Sequence, residues 1–170
     1  MEFLKIVGLA ILAGVIYGVA HDQVTARICV EYFTVFHPPV FNTQSPTLLA
    51  FGWGIIATWW VGVFLGVCLA ISCRVGPSPK IDAAQLVRPI GYLLLAMVSC
   101  ALIAGIVGYF WGQAPDYFRE LLAPSMQRRF LADWWAHSAS YASGFFGGMV
   151  LCVVMVRKRM IGSKSAFAES

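Results

Sequence analysis

Four long apolar runs divide the chain, and short polar segments separate them. The runs cover residues 3–20, 47–73, 87–112 and 130–156. About 20 helical residues span the hydrocarbon core of a bilayer; the first run just reaches that length and the other three exceed it. The pattern predicts an all-α fold, a four-transmembrane-helix bundle formed by residues 1–170 as a single domain. The expected helices are at about 3–22, 47–73, 87–112 and 127–157.

Two connecting segments, about 21–46 and 113–129, are longer than simple turns. In the first, His37 precedes two prolines, and a residue before proline is pushed away from helical angles. Ser45-Pro46 then suits the start of the next helix, with proline in its first turn. The second segment has an amphipathic stretch around Phe118. We therefore expect short interfacial helices on the outer side of the bundle.

Composition agrees with a membrane protein whose main surroundings are lipids. The chain is 59% hydrophobic and 12% charged, with a mean hydropathy of +0.76. Soluble domains carry about 25% charged residues. The net charge of +4 does not indicate nucleic acid, because the basic residues cluster at the predicted membrane boundaries.

The basic residues also predict an orientation. Placing both termini and the 74–88 loop in the cytoplasm leaves four basic side chains outside: Arg27, Arg119, Arg128 and Arg129. The other eight are then inside: Lys5, Arg74, Lys80, Arg88, Arg157, Lys158, Arg159 and Lys164. By the positive-inside rule, we expect both termini of this multi-pass membrane protein to be cytoplasmic, and the basic residues at 157–159 to act as anchors at the membrane surface.

The first apolar run could instead be a signal peptide, since small residues near Ala20 would suit cleavage. However, Glu2 offsets Lys5, so the preceding segment has no net positive side-chain charge. We therefore expect the first helix to be retained.

Small residues and cysteines add two further expectations. Glycines four apart occur on all four predicted helices, and this spacing lets helix backbones approach closely in lipid. The pairs are Gly14/Gly18, Gly62/Gly66, Gly108/Gly112 and Gly144/Gly148. Cys29 is the only one of the five cysteines predicted outside, so it has no partner there for an intrachain disulfide and could be a reactive thiol.

Polar residues concentrate at two places near the predicted outer boundary. On the fourth predicted helix, the i, i+4, i+7, i+8 spacing predicts one shared face. That face carries Asp133, His137, Ser140 and Tyr141. The other group begins where the first predicted helix ends, and consists of His21, Asp22, Gln23, Glu31 and Tyr32.

These residue types allow three interpretations. Imidazole nitrogens with carboxylate oxygens suit a transition metal, with His21, Glu31 and His137 as the candidate ligands. Asp133, one helical turn before His137, could ligate together with it, and Asp22 is an alternative from the first segment. A haem between His21 and His137 is a weaker alternative. A buried hydrogen-bond network, in which Asp133 orients His137 and His21 satisfies a helix end, would need no cofactor. The third interpretation is a substrate or proton site, because histidine can titrate near neutral pH. His37, which precedes two prolines, is expected to be a surface loop residue.

The segments HDQVTARICVEYFTVFHP and HSASYASG together resemble a group of small bacterial integral membrane proteins. The matching positions in the first segment are His21, Asp22, Gln23, Glu31, Tyr32, Phe33 and Thr34. Those in the second are His137, Ser140, Tyr141 and Gly144. The resemblance implies a bacterial inner-membrane protein whose polar residues act together. It implies no mechanism.

The leading functional hypothesis is a binding or assembly role for a polar His/carboxylate site at the periplasmic face, with a membrane-protein partner or a second copy of the chain. The alternative is a metal-dependent membrane enzyme acting on a lipid-borne or periplasmic substrate. A transporter component is disfavoured, because no ionisable residue other than cysteine lies in the middle of the second and third helices.

Overall fold

A computed structural model of the chain describes the backbone of residues 1–168 and the side chains of residues 1–163. The side chain of Lys164 therefore lies outside the described part. A 3₁₀ turn at Ala83–Leu86 precedes the fourth helix, and no β-strand occurs between residues 1 and 168. The helices are α1 Glu2–Ile28, α2 Val30–Thr34, α3 Pro46–Arg74, α4 Val87–Trp111, α5 Asp116–Leu121 and α6 Pro124–Ala168. By length and composition, α1, α3, α4 and α6 can each cross a membrane, which confirms the predicted all-α bundle.

The two middle helices begin and end within one residue of their predicted bounds, whereas the outer two are longer. α1 continues to Ile28 instead of ending near residue 22, and α6 starts at Pro124 and runs to Ala168. The end of α1 predicted from hydropathy was too early, because the segment HDQVTAR is largely polar. A polar segment can still be helical, since a helix needs only one buried face. Asp22, Thr25 and Ala26 provide that buried face.

The start of α1 and the part of α6 around Arg159 lie at one end of the bundle, together with the connection at 75–82; we call this the loop end. The opposite end, the site end, carries the two longer segments that contain α2 and α5. Ser45 caps α3 by accepting from the backbone N–H of Leu48 at 3.5 Å, and Pro46 occupies the first turn as predicted. The short helix α5 covers the site end through Phe118, whose ring centroid lies 5.1 Å from that of Phe130.

The four long helices are arranged as two tight pairs. α1 packs mainly on α3 and α4 mainly on α6, while the pairs meet chiefly through α3 and α6. Glycines bring the backbones of α1 and α3 together: a Cβ added at Gly54 would stand 2.6 Å from Val19 Cα, and one at Gly62 would stand 2.7 Å from Ile11 Cα. Close packing within a pair therefore depends on positions that have no side chain.

Not every predicted glycine pair packs helices together. A Cβ at Gly108 would stand 2.5 Å from the backbone oxygen of Leu131, so this glycine does allow α4 to approach α6. Gly112, by contrast, ends α4, and its backbone N–H donates to Gly108 O at 3.0 Å. The spacing at 108 and 112 therefore marks one packing position and one helix end.

Arg159 is not a surface anchor, contrary to the prediction from the basic cluster. Its side chain is buried, and its guanidinium donates to four backbone carbonyls of the loop end. The acceptors are Ser72 O at 2.6 Å, Pro79 O at 2.7 Å, Val75 O at 2.9 Å and Ser78 O at 3.0 Å. Arg157 and Lys158 remain exposed. Arg159 thus fixes the turn after α3 against α6.

Large apolar side chains cover much of the outer surface of the bundle. Trp60, Leu102, Ile103 and Phe146 are among those more than half exposed. Such a surface would be unfavourable in water and suits hydrocarbon. The protein is therefore in contact with membrane lipids along its long helices.

Candidate functional site

α1 and α6 bring three potential ligands together near the site end. His21 and Asp22 lie on α1 and His137 lies on α6, and one ligand atom from each is within 4.8 Å of the others. His137 Nε2 stands 3.2 Å from Asp22 Oδ1. The two imidazole rings meet edge to face, with centroids 4.6 Å apart. Asp22 and His137 are both buried.

Hydrogen bonding determines which nitrogen of His137 faces the cluster. Its Nδ1 lies 2.8 Å from the backbone oxygen of Asp133. Because a carbonyl oxygen can only accept a hydrogen bond, Nδ1 must carry the hydrogen. This bond fixes the ring and directs Nε2 towards the carboxylate of Asp22. Since two acceptors repel each other, a proton or a cation must be shared between Nε2 and that carboxylate.

Asp133 does not orient His137 through its carboxylate, as the network interpretation expected, but through its backbone oxygen. Its side chain is 0% exposed, and neither carboxyl oxygen has a hydrogen-bond partner among the described residues. The backbone N–H of Cys29 lies nearby but donates to Thr25 O at 3.0 Å. An unpaired buried polar group costs about 1–3 kcal/mol, and more when charged. Asp133 is therefore an acceptor whose partner is not supplied by the described chain.

A second pair of contacts supports the cluster from the bundle interior. The hydroxyl oxygens of Tyr17 and Ser140 are 2.7 Å apart, joining α1 to α6, and both residues are buried. The ring of Tyr17 stacks on that of His21 with centroids 5.7 Å apart. Tyr17 was missed in the sequence, although it lies four residues before His21 and therefore on the same helical face.

Aromatic residues of the first outer segment cover the cluster. The Tyr32 ring stacks on His137 with centroids 4.5 Å apart, and the Phe33 ring meets His137 edge to face at 5.7 Å. His37 is not a plain surface residue: its Nδ1 lies 2.7 Å from Tyr32 O, and its ring contacts Trp53 at 4.7 Å. Burial raises the pKa of Tyr32 and lowers that of His37, so both cover the cluster in neutral form.

The remaining predicted residues lie apart from the three ligands. Glu31 accepts from the Cys29 thiol at 3.4 Å, so Asp22 supplies the carboxylate that was expected from Glu31. Gln23 connects α1 to the start of α3 by donating to Thr47 O at 3.3 Å. Tyr141 is 48% exposed but lines the same interior cavity as Asp22 and His137.

The interior cavity extends from the cluster between α1, α3, α4 and α6 and has a volume of about 130 Å³. Its polar end is formed by His21, Asp22, His137, Ser140 and Tyr141, and the rest of its lining is almost entirely apolar. A small molecule or a few waters could therefore reach the ligand atoms from within the bundle.

A haem does not fit between His21 and His137. Axial ligands stand on opposite faces of a porphyrin, whereas these two rings are in direct edge-to-face contact.

Comparisons with protein-family models, with curated proteins and with solved structures find no match to this chain. The chemistry of the site therefore follows from its own atoms. Two imidazoles and one carboxylate form a donor set suited to zinc, iron or manganese.

The Cys29 thiol is predicted to react slowly with maleimides. It is 2% exposed, and burial raises its pKa to about 12 from an ordinary 9.0. Because the thiolate is the nucleophile, labelling at pH 8 should be about a thousandfold slower than for an ordinary thiol, and should keep accelerating as the pH is raised within the range in which the maleimide is stable. The measurement is labelling by a membrane-impermeant maleimide in a variant whose other four cysteines are alanine.

The matched control adds Ser125→Cys to a chain with no other cysteine, because Ser125 is exposed at the same end of the bundle. Unfolding in detergent should remove the protection of Cys29. Equal labelling rates for Cys29 and the control in the native protein would refute the expectation and restore the hypothesis of a reactive thiol.

Proposed function

We propose that this protein binds a divalent transition metal ion through His21, Asp22 and His137, at the periplasmic end of a bundle in the bacterial inner membrane. The observation that carries the proposal is the convergence of three ligand atoms within 4.8 Å, from two helices that belong to different pairs. Ligand atoms around a tetrahedral zinc ion stand about 3.4 Å apart, so a bound ion would draw these side chains slightly closer.

The surroundings of the three ligands support metal binding. The backbone oxygen of Asp133 holds the His137 ring with Nε2 towards Asp22, the outer-shell arrangement typical of ligating histidines. The Nε2 of His21 is buried and has no hydrogen-bond partner among the described residues. An ion would also remove the repulsion between the facing acceptors of Asp22 and His137.

The cellular location rests on charge and on resemblance. Eight basic residues against four favour cytoplasmic termini, which would put the site end in the periplasm. The segments HDQVTARICVEYFTVFHP and HSASYASG resemble bacterial inner-membrane proteins. A periplasmic site could receive its metal without transport across this membrane.

The role that fits this arrangement best is binding or assembly. A metal held by α1 and α6 would join the two helix pairs through helices that otherwise contact each other little. The aromatic cover from α2 would be ordered over the ion at the same time. The site end would then present a fixed surface to a membrane-protein partner or to a second copy of the chain.

A second candidate function is metal-dependent catalysis on a lipid-borne or periplasmic substrate. Three protein ligands leave coordination positions free, as in catalytic zinc sites. The interior cavity of about 130 Å³ reaches those ligands and could hold an activated water.

The proposal predicts that the metal content depends on two of the three histidines. Purified wild type should carry about one transition metal per chain, and His21→Ala and His137→Ala should each lose most of it. His37→Ala is the matched control, because His37 lies nearby but outside the three-ligand group. The measurement is element-resolved mass spectrometry after purification without chelators and after reloading with zinc, iron or manganese.

Two results would overturn the proposal. One is wild-type protein that holds no stoichiometric metal after reloading with any of the three ions. The other is equal loss of metal from His37→Ala, which would show that folding rather than ligation was affected. Circular dichroism of each variant confirms that its helices remain.

A further inference from the structure

A groove runs between α1 and α4, where the two helix pairs barely touch. Its volume is about 620 Å³, within the range of about 300–1,000 Å³ that is typical of ligand sites. Apolar side chains form its walls, including Val24 on α1 and Leu102 and Ile106 on α4. These side chains are about half exposed or more, on helices that contact lipid. The groove is therefore open to the hydrocarbon of the membrane.

The floor of the groove is polar, in contrast to its walls. Tyr17, His21 and Asp133 line it, and the carboxyl group of Asp133 lies beneath the groove surface with no accessible area of its own. Both carboxyl oxygens of Asp133 lack a hydrogen-bond partner among the described residues. A carboxyl group buried beneath a lipid-facing groove without a hydrogen-bond partner is unusual, because its desolvation destabilises the folded protein. A ligand that donates a hydrogen bond at this point would offset that cost.

We infer that this groove binds a lipid alcohol, with its hydrocarbon chain lying between α1 and α4 and its hydroxyl donating to Asp133 once a small movement of the groove floor uncovers the carboxyl group. Both carboxyl oxygens of Asp133 lack a partner within the described chain, and a hydroxyl suits them because it can donate to one of them and can also accept. The apolar walls require a hydrocarbon body. A neutral hydroxyl can pass from lipid along these walls at far lower cost than an ammonium group, which favours an alcohol over an amine. A carboxylate head would bring no hydrogen-bond donor to Asp133.

The inference is independent of the metal. Asp133 is not among the three proposed ligands, and the groove walls do not touch them except through His21. The alcohol would nevertheless place its hydroxyl beside the cluster. A ligand there is therefore also in position to be a substrate if the site proves to be catalytic.

The experiment uses photoactivatable hexadecanol, hexadecylamine and palmitate, each with a diazirine in the chain, added to the full-length protein in lipid nanodiscs. Mass spectrometry of the labelled peptides should place the hexadecanol label on α1 near Val24 and on α4 near Leu102. Asp133→Leu should lower hexadecanol labelling about tenfold, the factor expected for one lost hydrogen bond. Asp133→Asn keeps an acceptor and should retain most of the labelling.

A blocking variant and its control test the location separately. Gly105 lines the groove, and a Cβ there meets other atoms only at 3.4 Å or beyond, so Gly105→Leu should fill the groove and reduce labelling. Gly91→Leu is the matched control on the same helix, because a Cβ there meets nothing within 4 Å. Metal content is measured on the same samples, so that loss of label and loss of metal are distinguished.

Each contrary outcome overturns a stated part of the inference. Equal hexadecanol labelling in wild type and Asp133→Leu would remove Asp133 from the site. Equal labelling in Gly105→Leu and Gly91→Leu would show general contact with lipid rather than occupation of the groove. Stronger labelling by hexadecylamine or palmitate than by hexadecanol would refute the choice of an alcohol.

Discussion

Gly54→Val is expected to prevent formation of the native bundle. A Cβ at this position would stand 2.6 Å from both N and Cα of Val19, and these backbone atoms cannot rotate away. Overpacking of a core by side chains costs about 1–3 kcal/mol, and a clash with backbone should exceed that range. α1 would have to move away from α3, and His21 would move with it. The variant should therefore lose both thermal stability and metal binding.

Gly8→Val provides the matched comparison for Gly54→Val. Gly8 also lies on α1, but a Cβ there meets nothing within 4 Å, so the change should alter stability by no more than about 0.5 kcal/mol. Size-exclusion chromatography and thermal unfolding in the same detergent measure the difference. Equal melting temperatures for the two variants would contradict the close approach of α1 and α3 described above.

Arg159→Leu is expected to have the second-largest effect on stability. The guanidinium donates to four backbone carbonyls between Ser72 and Pro79, and leucine would leave all of them without this donor. Charge-assisted hydrogen bonds contribute about 1.5–3 kcal/mol each and are not additive, so a total loss of about 3 kcal/mol or more is expected. Arg159→Lys should recover part of this, since an ammonium group cannot reproduce the planar donor pattern.

Arg157→Leu separates this role of Arg159 from a general effect of positive charge. Arg157 is exposed two residues earlier on the same helix, so its loss removes a charge without removing contacts to the loop. We expect Arg157→Leu to melt near wild type, and protease to cleave the 75–80 turn faster only in Arg159→Leu. Similar melting temperatures for Arg157→Leu and Arg159→Leu would mean that net charge, not loop fixation, controls stability.

The sequence was sufficient to predict the helices that hydropathy defines. The bounds of α3 and α4 were predicted within one residue, because apolar composition changes sharply at their ends. The bounds of α1 and α6 were not, because HDQVTAR and the tail after Val156 are polar while still forming helix. The role of Arg159 was equally invisible, since a basic residue at a membrane boundary is expected to face lipid head groups.

The candidate site was predicted in part, and the differences follow from helix geometry. Asp133, His137 and Ser140 are buried on one face as their spacing indicated. Tyr141 is half exposed. It lies eight residues after Asp133, and eight residues of an α-helix turn the side-chain direction about 80° away from that of Asp133. Asp22 rather than Glu31 joins the histidines because α1 continues past residue 22, whereas the extended backbone at Cys29 starts a new helix for Glu31. No local pattern in the sequence reveals that break.

The arrangement in two tight pairs has a consequence for biogenesis. Because α1 and α3 precede α4 and α6 in the chain, His21 and Asp22 would enter the membrane with the first pair, and Asp133 and His137 with the second. A nascent chain that has inserted only α1 and α3 holds one half of the cluster and cannot complete it. The proposed ion could then bind only after the two helix pairs have packed together. A chain with metal in the site would therefore be a fully assembled one.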